Sequence, residues 1–135
     1  MPFILNGGAI AWQSKSQHST SISLSSAESE YVAISETAKM AVFLLSLCVD
    51  IAIPQTMPHS MFADSQSAMF IALNPVTGSR TRHINIRYHF VREMVKEGTI
   101  LLVYVPTSEN IADIFTKPLS RILFQKFRAI LHGHK

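Results

Sequence analysis

Three acidic residues stand where the carboxylates of a metal site would be expected. Asp64 ends the apolar run 61–63 and directly precedes a predicted helix. Asp113 lies in a short predicted helix after the strand-like run 100–105, and Glu30 lies on a longer predicted helix. In open α/β sheets, sites form outside the carboxyl edge of the strands, where such residues converge. Because Mg²⁺ takes oxygen ligands and completes its shell with substrate phosphates, these acids indicate phosphodiester chemistry.

The composition is that of one folded domain. The chain has 135 residues, of which 47% are hydrophobic and 16% charged, and this excludes a disordered chain. The single cysteine, Cys48, is expected to be buried in a helix; it excludes a disulfide framework and favours a reducing, intracellular compartment. No apolar stretch is predicted to reach the length of a membrane span, so no membrane partner is expected. The net charge of +3 permits contact with nucleic acid without indicating it.

The apolar pattern predicts an α/β chain in the order β-β-α-β-α-α-β-α-α. Strands are expected at 3–5, 9–14, 61–63 and 100–105, with a further strand-like alternation at 20–24; helices are expected at 25–49, 65–74, 80–97 and 119–131, with a short one around Asp113. Thr107 or Ser108 is expected to cap this short helix, and Gly98 to close the helix before it. Ile10 and Trp12 share one face of the second strand, and Trp12 is expected in the core.

The first helix places one acid beside its apolar stripe. Ser25 and Glu28 match a capping box. Apolar residues then recur at steps of three and four, at Ala27, Tyr31, Ile34, Ala38, Ala41, Leu45 and Val49. At about 100° per residue, Glu30 lies next to this stripe, whereas Glu28 and Glu36 point away from it. Glu30 is therefore the acid best placed to face the sheet; a boundary residue with a solvated tip is the alternative.

The helix at 80–97 has a basic face. Its members are Arg82, Asn85, His89, Arg92 and Lys96. A solvated surface is the simpler interpretation, and contact with a phosphate backbone is the alternative.

Five stretches of the chain follow the pattern of a known family. They are LNGGAIAWQSK at 5–15, SSAESEYVA at 25–33, DSQSA at 64–68, SRTRHINIRYHFVRE at 79–93 and IADIFTKPL at 111–119. In this order, they closely resemble the ribonuclease H domain at the C-terminus of copia-type LTR-retrotransposon Pol polyproteins. The resemblance implies a domain over residues 1–131, followed by a basic tail at 132–135.

The resemblance also implies a function and its residues. The family's nuclease hydrolyses the RNA strand of RNA–DNA hybrids during reverse transcription, with four acids and two Mg²⁺ ions, for which Mn²⁺ can substitute. Glu30, Asp64 and Asp113 match three of these catalytic, metal-binding acids. The implied partners are an RNA–DNA hybrid and the upstream reverse transcriptase portion of a polyprotein, in a cytoplasmic particle or the nucleus. Separately from the resemblance, the basic helix face makes Arg82, His89, Arg92 and Lys96 candidates for contacts with nucleic acid.

The chain departs from the family pattern at its front. The expected fold is α/β, a ribonuclease H-like mixed sheet flanked by helices, but N-terminally truncated. The family's first strand carries the fourth acid and lies centrally, and no such strand precedes Phe3. The sheet is expected to close by pairing the front hairpin with the Met61 strand, to stay loose, or to pair with another chain through its open edges.

Three of the four acids then remain. An impaired or inactive nuclease is expected, with a strand supplied in trans by an upstream polypeptide as one conceivable rescue. The alternatives are a binding module that contacts nucleic acid without cutting it, and a poorly folding relic of a copia-like Pol polyprotein.

Overall fold

The computed structural model describes residues 1–5, 7–12, 26–53, 55–74 and 82–133, without the side chains of Ser26 and residues 82–88. In chain order, the elements are β1 (Pro2–Leu5), β2 (Gly8–Trp12), α1 (Ser26–Asp50), β3 (His59–Ala63), α2 (Gln66–Leu73), α3 (Arg82–Lys96), β4 (Ile100–Tyr104), 3₁₀ helices at Thr107–Glu109 and Ile111–Phe115, and α4 (Arg121–Leu131). The predicted order is confirmed, except that Asp113 lies on a 3₁₀ helix. The expected strand at 20–24 and the Ser25 cap lie outside the described residues.

The chain divides into two compact units. The hairpin unit comprises Met1–Thr20 and Pro106–Lys135, and the helical unit comprises Ser21–Val105. Each has its own two-stranded sheet. The extent of the predicted domain, residues 1–131, stays a prediction.

In the hairpin unit, β1 and β2 pair antiparallel around a glycine turn. Gly7 has a φ of +84°, a conformation that favours glycine at this tight turn. The register shifts between Phe3 and Ile4, so that Ile10 is an extra residue on β2. Helix α4 contacts β2. The chain after α4 passes close to the turn of the hairpin: a Cβ atom added at Gly133 would lie 3.6 Å from the backbone oxygen of Gly7. Phe127 of α4 is fully buried.

The prediction that Trp12 belongs to the core is wrong. Its side chain is 67% exposed, and Ile10 is also exposed. Ile10 is the extra residue where the register shifts, so its predicted place on one face with Trp12 stays a prediction. A two-stranded hairpin has few neighbours with which to cover both of its faces, and here Ile10 and Trp12 are both open to solvent.

In the helical unit, β3 and β4 pair in parallel, with Met61 opposite Leu102. Helices α1, α2 and α3 pack on one another, and α3 packs on β4. The core consists of Tyr31, Ile34, Ala38, Met61, Ala63, Ala68, Ala72, Val91, Ile100 and Leu102. The small side chains on α1 and α2 let these helices approach closely. The predicted stripe on α1 is therefore confirmed in its first half, whereas Val49 near its end is exposed.

The helix ends follow local sequence signals. Ser65 caps α2, since its Oγ accepts a hydrogen bond of 3.2 Å from the Ala68 N–H, and Asn74 ends this helix. Gly98, with a φ of +72°, closes α3 as predicted. Helix α1 ends differently, because Ala52 occupies the left-handed position with a φ of 59°.

The α/β class is confirmed, but the part of the chain that the structure describes contains no single mixed sheet. The described strands form two two-stranded sheets, β1–β2 and β3–β4. Closure by pairing the hairpin with the Met61 strand is therefore wrong, because, among the described residues, β3 pairs with β4 and not with the hairpin. The ribonuclease H-like arrangement stays a proposal.

The expectation that no apolar stretch reaches the length of a membrane span is wrong for helix α1. The stretch Ala27–Asp50 is long and apolar enough, by length and composition only, to cross a membrane. Its last ten residues carry one charged side chain, Asp50. The core helix of a soluble protein passes the same test. Cys48 is buried on this helix, as predicted.

Candidate metal and nucleic-acid site

Asp64 lies at the carboxyl end of β3, immediately before α2. The parallel pairing of β3 with β4 extends to this point, because the Val105 N–H donates a 3.0 Å hydrogen bond to the Ala63 oxygen. The next residue, Ser65, is the N-cap of α2. Asp64 is half-buried between these two elements. The partial positive charge at a helix N-terminus favours a carboxylate in this position.

Glu30 lies in the second turn of α1 and is exposed. The neighbouring acids Glu28 and Glu36 are half-buried, and Glu36 forms an exposed ion pair of 3.0 Å with Lys39. Relative exposure therefore does not single out Glu30 as the acid that faces inward, contrary to the expectation from the helical stripe. Its role as a ligand stays a prediction.

Asp113 is a buried acid with a cation beside it. It is 7% exposed and lies on the 3₁₀ helix Ile111–Phe115. The Lys117 Nζ lies 3.1 Å from each of its two carboxylate oxygens. Asn110 caps this helix by accepting a 3.1 Å hydrogen bond from the Ala112 N–H, so the expected cap at Thr107 or Ser108 is wrong. The amide oxygen of Asn110 is two residues from the bonded N–H, which is the spacing of an Asx turn.

Lys117 is the site residue that the sequence interpretation missed. The signal was present in the sequence, because Lys117 follows Asp113 by four residues. Opposite charges at this spacing interact when the backbone is helical.

The donor chemistry of these acids fits a hard cation. Carboxylate oxygens are the ligands that Mg²⁺ prefers, and Asp113 already accepts a cationic group on both oxygens. Glu30 and Asp64 belong to the helical unit and Asp113 to the hairpin unit. Across the described part of the chain, no three His, Cys, Asp or Glu residues form a group that could hold a metal ion. The three-acid site therefore stays a prediction.

The basic face of α3 is only partly described. His89 and Lys96 are exposed, and the side chain of Arg82 lies outside the described residues. Arg92 is half-buried, and its Nη2 donates a 2.8 Å hydrogen bond to the Asn74 oxygen. Arg92 thus has a structural contact. The nucleic-acid contacts of all four residues stay predictions.

The chain is similar to several transposon proteins. It is 36% identical to the retrovirus-related Pol polyprotein from transposon TNT 1-94 of Nicotiana tabacum over 132 residues, which are 98% of this chain and 10% of the relative. It is 39% identical over 118 residues to the retrovirus-related Pol polyprotein from transposon RE1 of Arabidopsis thaliana, and 37% over 118 residues to that from RE2; each match covers 87% of this chain and 8% of the relative.

The chain spans about a tenth of the length of these curated relatives. No family model matches the chain, and no solved structure matches it. Over most of its length, the chain is nevertheless homologous to a short part of retrovirus-related Pol polyproteins from transposons.

Proposed function

We propose that this chain is a ribonuclease H-type domain derived from a copia-type retrotransposon and directed at RNA–DNA hybrids. The observation that carries the proposal is the position of Asp64. Its carboxylate lies at the carboxyl end of a parallel strand pair and at the N-terminus of α2. Binding sites of α/β proteins form at this place. The homology to Pol polyproteins supports a function in nucleic-acid processing for such an acid.

Glu30, Asp64 and Asp113 are the proposed metal ligands. Two Mg²⁺ ions, when bound, supply an activated water and charge stabilisation of the leaving oxygen. The task of the chain is to present carboxylate oxygens. Asp113 is buried and held by its 3₁₀ helix, and Asp64 is fixed between a strand and a capped helix.

The proposed substrate is selected by shape. A hybrid differs from a DNA duplex in its minor groove and in the 2′-hydroxyl groups of one strand, and these features are independent of base sequence. His89 and Lys96 are exposed on α3 and are proposed to contact phosphates. Such contacts add affinity that decreases as the salt concentration rises.

A binding titration tests the proposal. Fluorescence anisotropy would compare a labelled RNA–DNA hybrid with a DNA duplex of the same sequence, each in Mg²⁺ and in EDTA. We expect tighter binding to the hybrid in Mg²⁺, and loss of the Mg²⁺ effect in Asp64→Asn. The matched control is Asp50→Asn, which changes an exposed aspartate at the end of α1. Equal affinity for both duplexes, or an equal effect of the two substitutions, would overturn the proposal.

Hydrolysis can be followed in the same mixtures. Any cutting is expected in the RNA strand alone and is expected to disappear in Asp64→Asn. Cutting of the DNA strand, or unchanged cutting by this variant, would contradict the proposed site.

A non-cutting binding module is the second candidate. The exposure of His89 and Lys96 on α3 favours it, because a cationic surface binds phosphate backbones without any metal. Binding that is independent of Mg²⁺, falls steeply with salt and is equal for hybrid and DNA duplex would support this candidate instead.

A further inference from the structure

Lys117 and Asp113 form an ion pair with an unusual distribution of burial. The Lys117 Nζ lies 3.1 Å from both oxygens of Asp113, so the ammonium sits in the fork of the carboxylate. The side chain of Asp113 is 10% exposed, whereas that of Lys117 is 52% exposed. The acid is therefore fixed inside the protein, and its cationic partner reaches it from the solvent.

The backbone holds the two residues in this arrangement. The backbone carbonyl oxygen of Asp113 accepts hydrogen bonds from the Thr116 N–H at 3.1 Å and from the Lys117 N–H at 2.9 Å. The backbone of Lys117 is thus fixed, and its half-exposed side chain ends at the ion pair with Asp113. A lysine side chain has four flexible carbons, so the ammonium can move into solvent without any change in the main chain.

Burial makes a partner for Asp113 necessary. A carboxylate with so little exposure loses much of its hydration, and a cation on its oxygens offsets that loss. A divalent metal ion that binds between the two oxygens needs the lone pairs on which the ammonium lies, so the two cations compete for the fork. Only one of them can occupy that position.

We propose that Lys117 is a resident cation that stabilises Asp113 in the metal-free protein and is displaced when a divalent cation binds. Lys117 is a positioning residue in this role. It holds the carboxylate in its orientation until the metal arrives, and it lowers the apparent affinity for the metal by the free energy of breaking the pair. This inference rests on the proposed role of Asp113 as a metal ligand.

The test is a pair of measurements on the full chain with Lys117→Met, which keeps an unbranched side chain and removes the charge. The first is the melting temperature in EDTA, and the second is a calorimetric titration with Mg²⁺. We expect Lys117→Met to melt at a lower temperature than the wild type, because Asp113 loses its counter-ion. We expect it to bind Mg²⁺ roughly two- to fivefold more tightly, the factor that corresponds to the usual energy of a partly exposed ion pair.

The opposite signs of the two effects separate this role from a purely structural one. A residue that only stabilises the fold would lower both the melting temperature and the Mg²⁺ affinity when it is removed. Lys117→Arg serves as the conservative variant and is expected to return both quantities to near wild-type values.

Each remaining outcome is decisive. One outcome is that the wild type binds Mg²⁺, that Asp113→Asn weakens this binding, and that Lys117→Met leaves it unchanged or weakens it. In that case the inference is wrong and the proposed function stands. If Lys117→Met binds Mg²⁺ normally but loses affinity for the hybrid, Lys117 contacts nucleic acid and the inference is again wrong. If neither the wild type nor any variant binds Mg²⁺, both the inference and the proposed metal site fail.

Discussion

The guanidinium of Arg92 donates a 2.8 Å hydrogen bond from Nη2 to the carbonyl oxygen of Asn74, the residue that ends helix α2. The last carbonyl groups of a helix lack partners within the helix and carry partial negative charge. Arg92 on α3 therefore satisfies the end of a neighbouring helix, and the bond connects residues 18 positions apart. A basic residue that the sequence associated with nucleic acid thus has a contact inside the fold.

Arg92→Met should destabilise the protein. A hydrogen bond to a charged group contributes about 1.5–3 kcal/mol, and we expect a loss of that order in the free energy of unfolding from urea titrations. His89→Gln changes an exposed residue of the same helix face and should alter stability by less than about 0.5 kcal/mol. Equal effects of the two substitutions would show that the Asn74 contact does not stabilise the fold.

Ser65→Ala should remove the cap next to Asp64. The Ser65 Oγ accepts the Ala68 N–H, and the loss of such a cap costs about 0.5–2 kcal/mol in the free energy of unfolding. Ser67→Ala is the matched control, because Ser67 is an exposed residue inside α2 and alanine favours helices. Urea titrations of both variants test this prediction. If Ser65→Ala is as stable as Ser67→Ala, the cap does not stabilise the protein.

Ala52→Gly should stabilise the protein. The end of α1 is fixed by hydrogen bonds from the Ala52 N–H to the Val49 oxygen at 3.0 Å and from the Ile53 N–H to the Cys48 oxygen at 2.8 Å. This motif needs a left-handed residue, where glycine avoids a penalty of about 1–2 kcal/mol. Because glycine also makes the unfolded chain more flexible, we expect a net gain of up to about 1 kcal/mol.

The control for this prediction is Ala41→Gly in the interior of α1, which should lower stability by about 1 kcal/mol. Thermal melting of both variants gives the comparison. If glycine lowers the stability at position 52 as well as at position 41, the left-handed conformation of Ala52 does not strain the end of α1.

Stability should fall as the pH falls through the range in which an unfolded histidine takes up a proton. Burial lowers the pKa of His59, and its Nε2 is buried with no hydrogen-bond partner among the described residues. Above the unfolded pKa, near 6.5, both states are neutral and His59 has no effect. Below it, the unfolded state binds a proton that the folded state does not, so stability decreases until the lowered folded pKa is reached.

His59→Gln removes this contribution. Melting temperatures measured between about pH 7.5 and about pH 5 should decline less steeply for the variant than for the wild type. Identical slopes would mean that protonation of His59 is not linked to unfolding.

Local sequence signals predicted most of the secondary structure. Ser65, Asn74 and Gly98 mark helix ends through side-chain and backbone preferences that operate within a few residues. The failures came from longer-range effects. The alternation on β2 predicted one face for Ile10 and Trp12, but whether these side chains are covered depends on elements that lie far away in the sequence.

The candidate site was predicted in its parts and not in its assembly. Asp64 lies at a strand end and Asp113 on a short helix, as their neighbours in the sequence indicated. The pairing of Asp113 with Lys117 could be read from their spacing of four residues. The burial of Asp113 could not, because burial depends on packing against other elements. Whether three acids converge depends on distances between residues far apart in the sequence, and hydrophobic periodicity gives no information about these distances.

A Mg²⁺ titration of four isosteric variants tests the central claim most directly. The claim is that Glu30, Asp64 and Asp113 hold the same metal ions. Calorimetry should show that Glu30→Gln, Asp64→Asn and Asp113→Asn each weaken Mg²⁺ binding by about tenfold or more, while Glu28→Gln, two residues from Glu30 on α1, leaves it unchanged. No Mg²⁺ binding by the wild type, or equal effects of Glu28→Gln and Glu30→Gln, would contradict the proposed site.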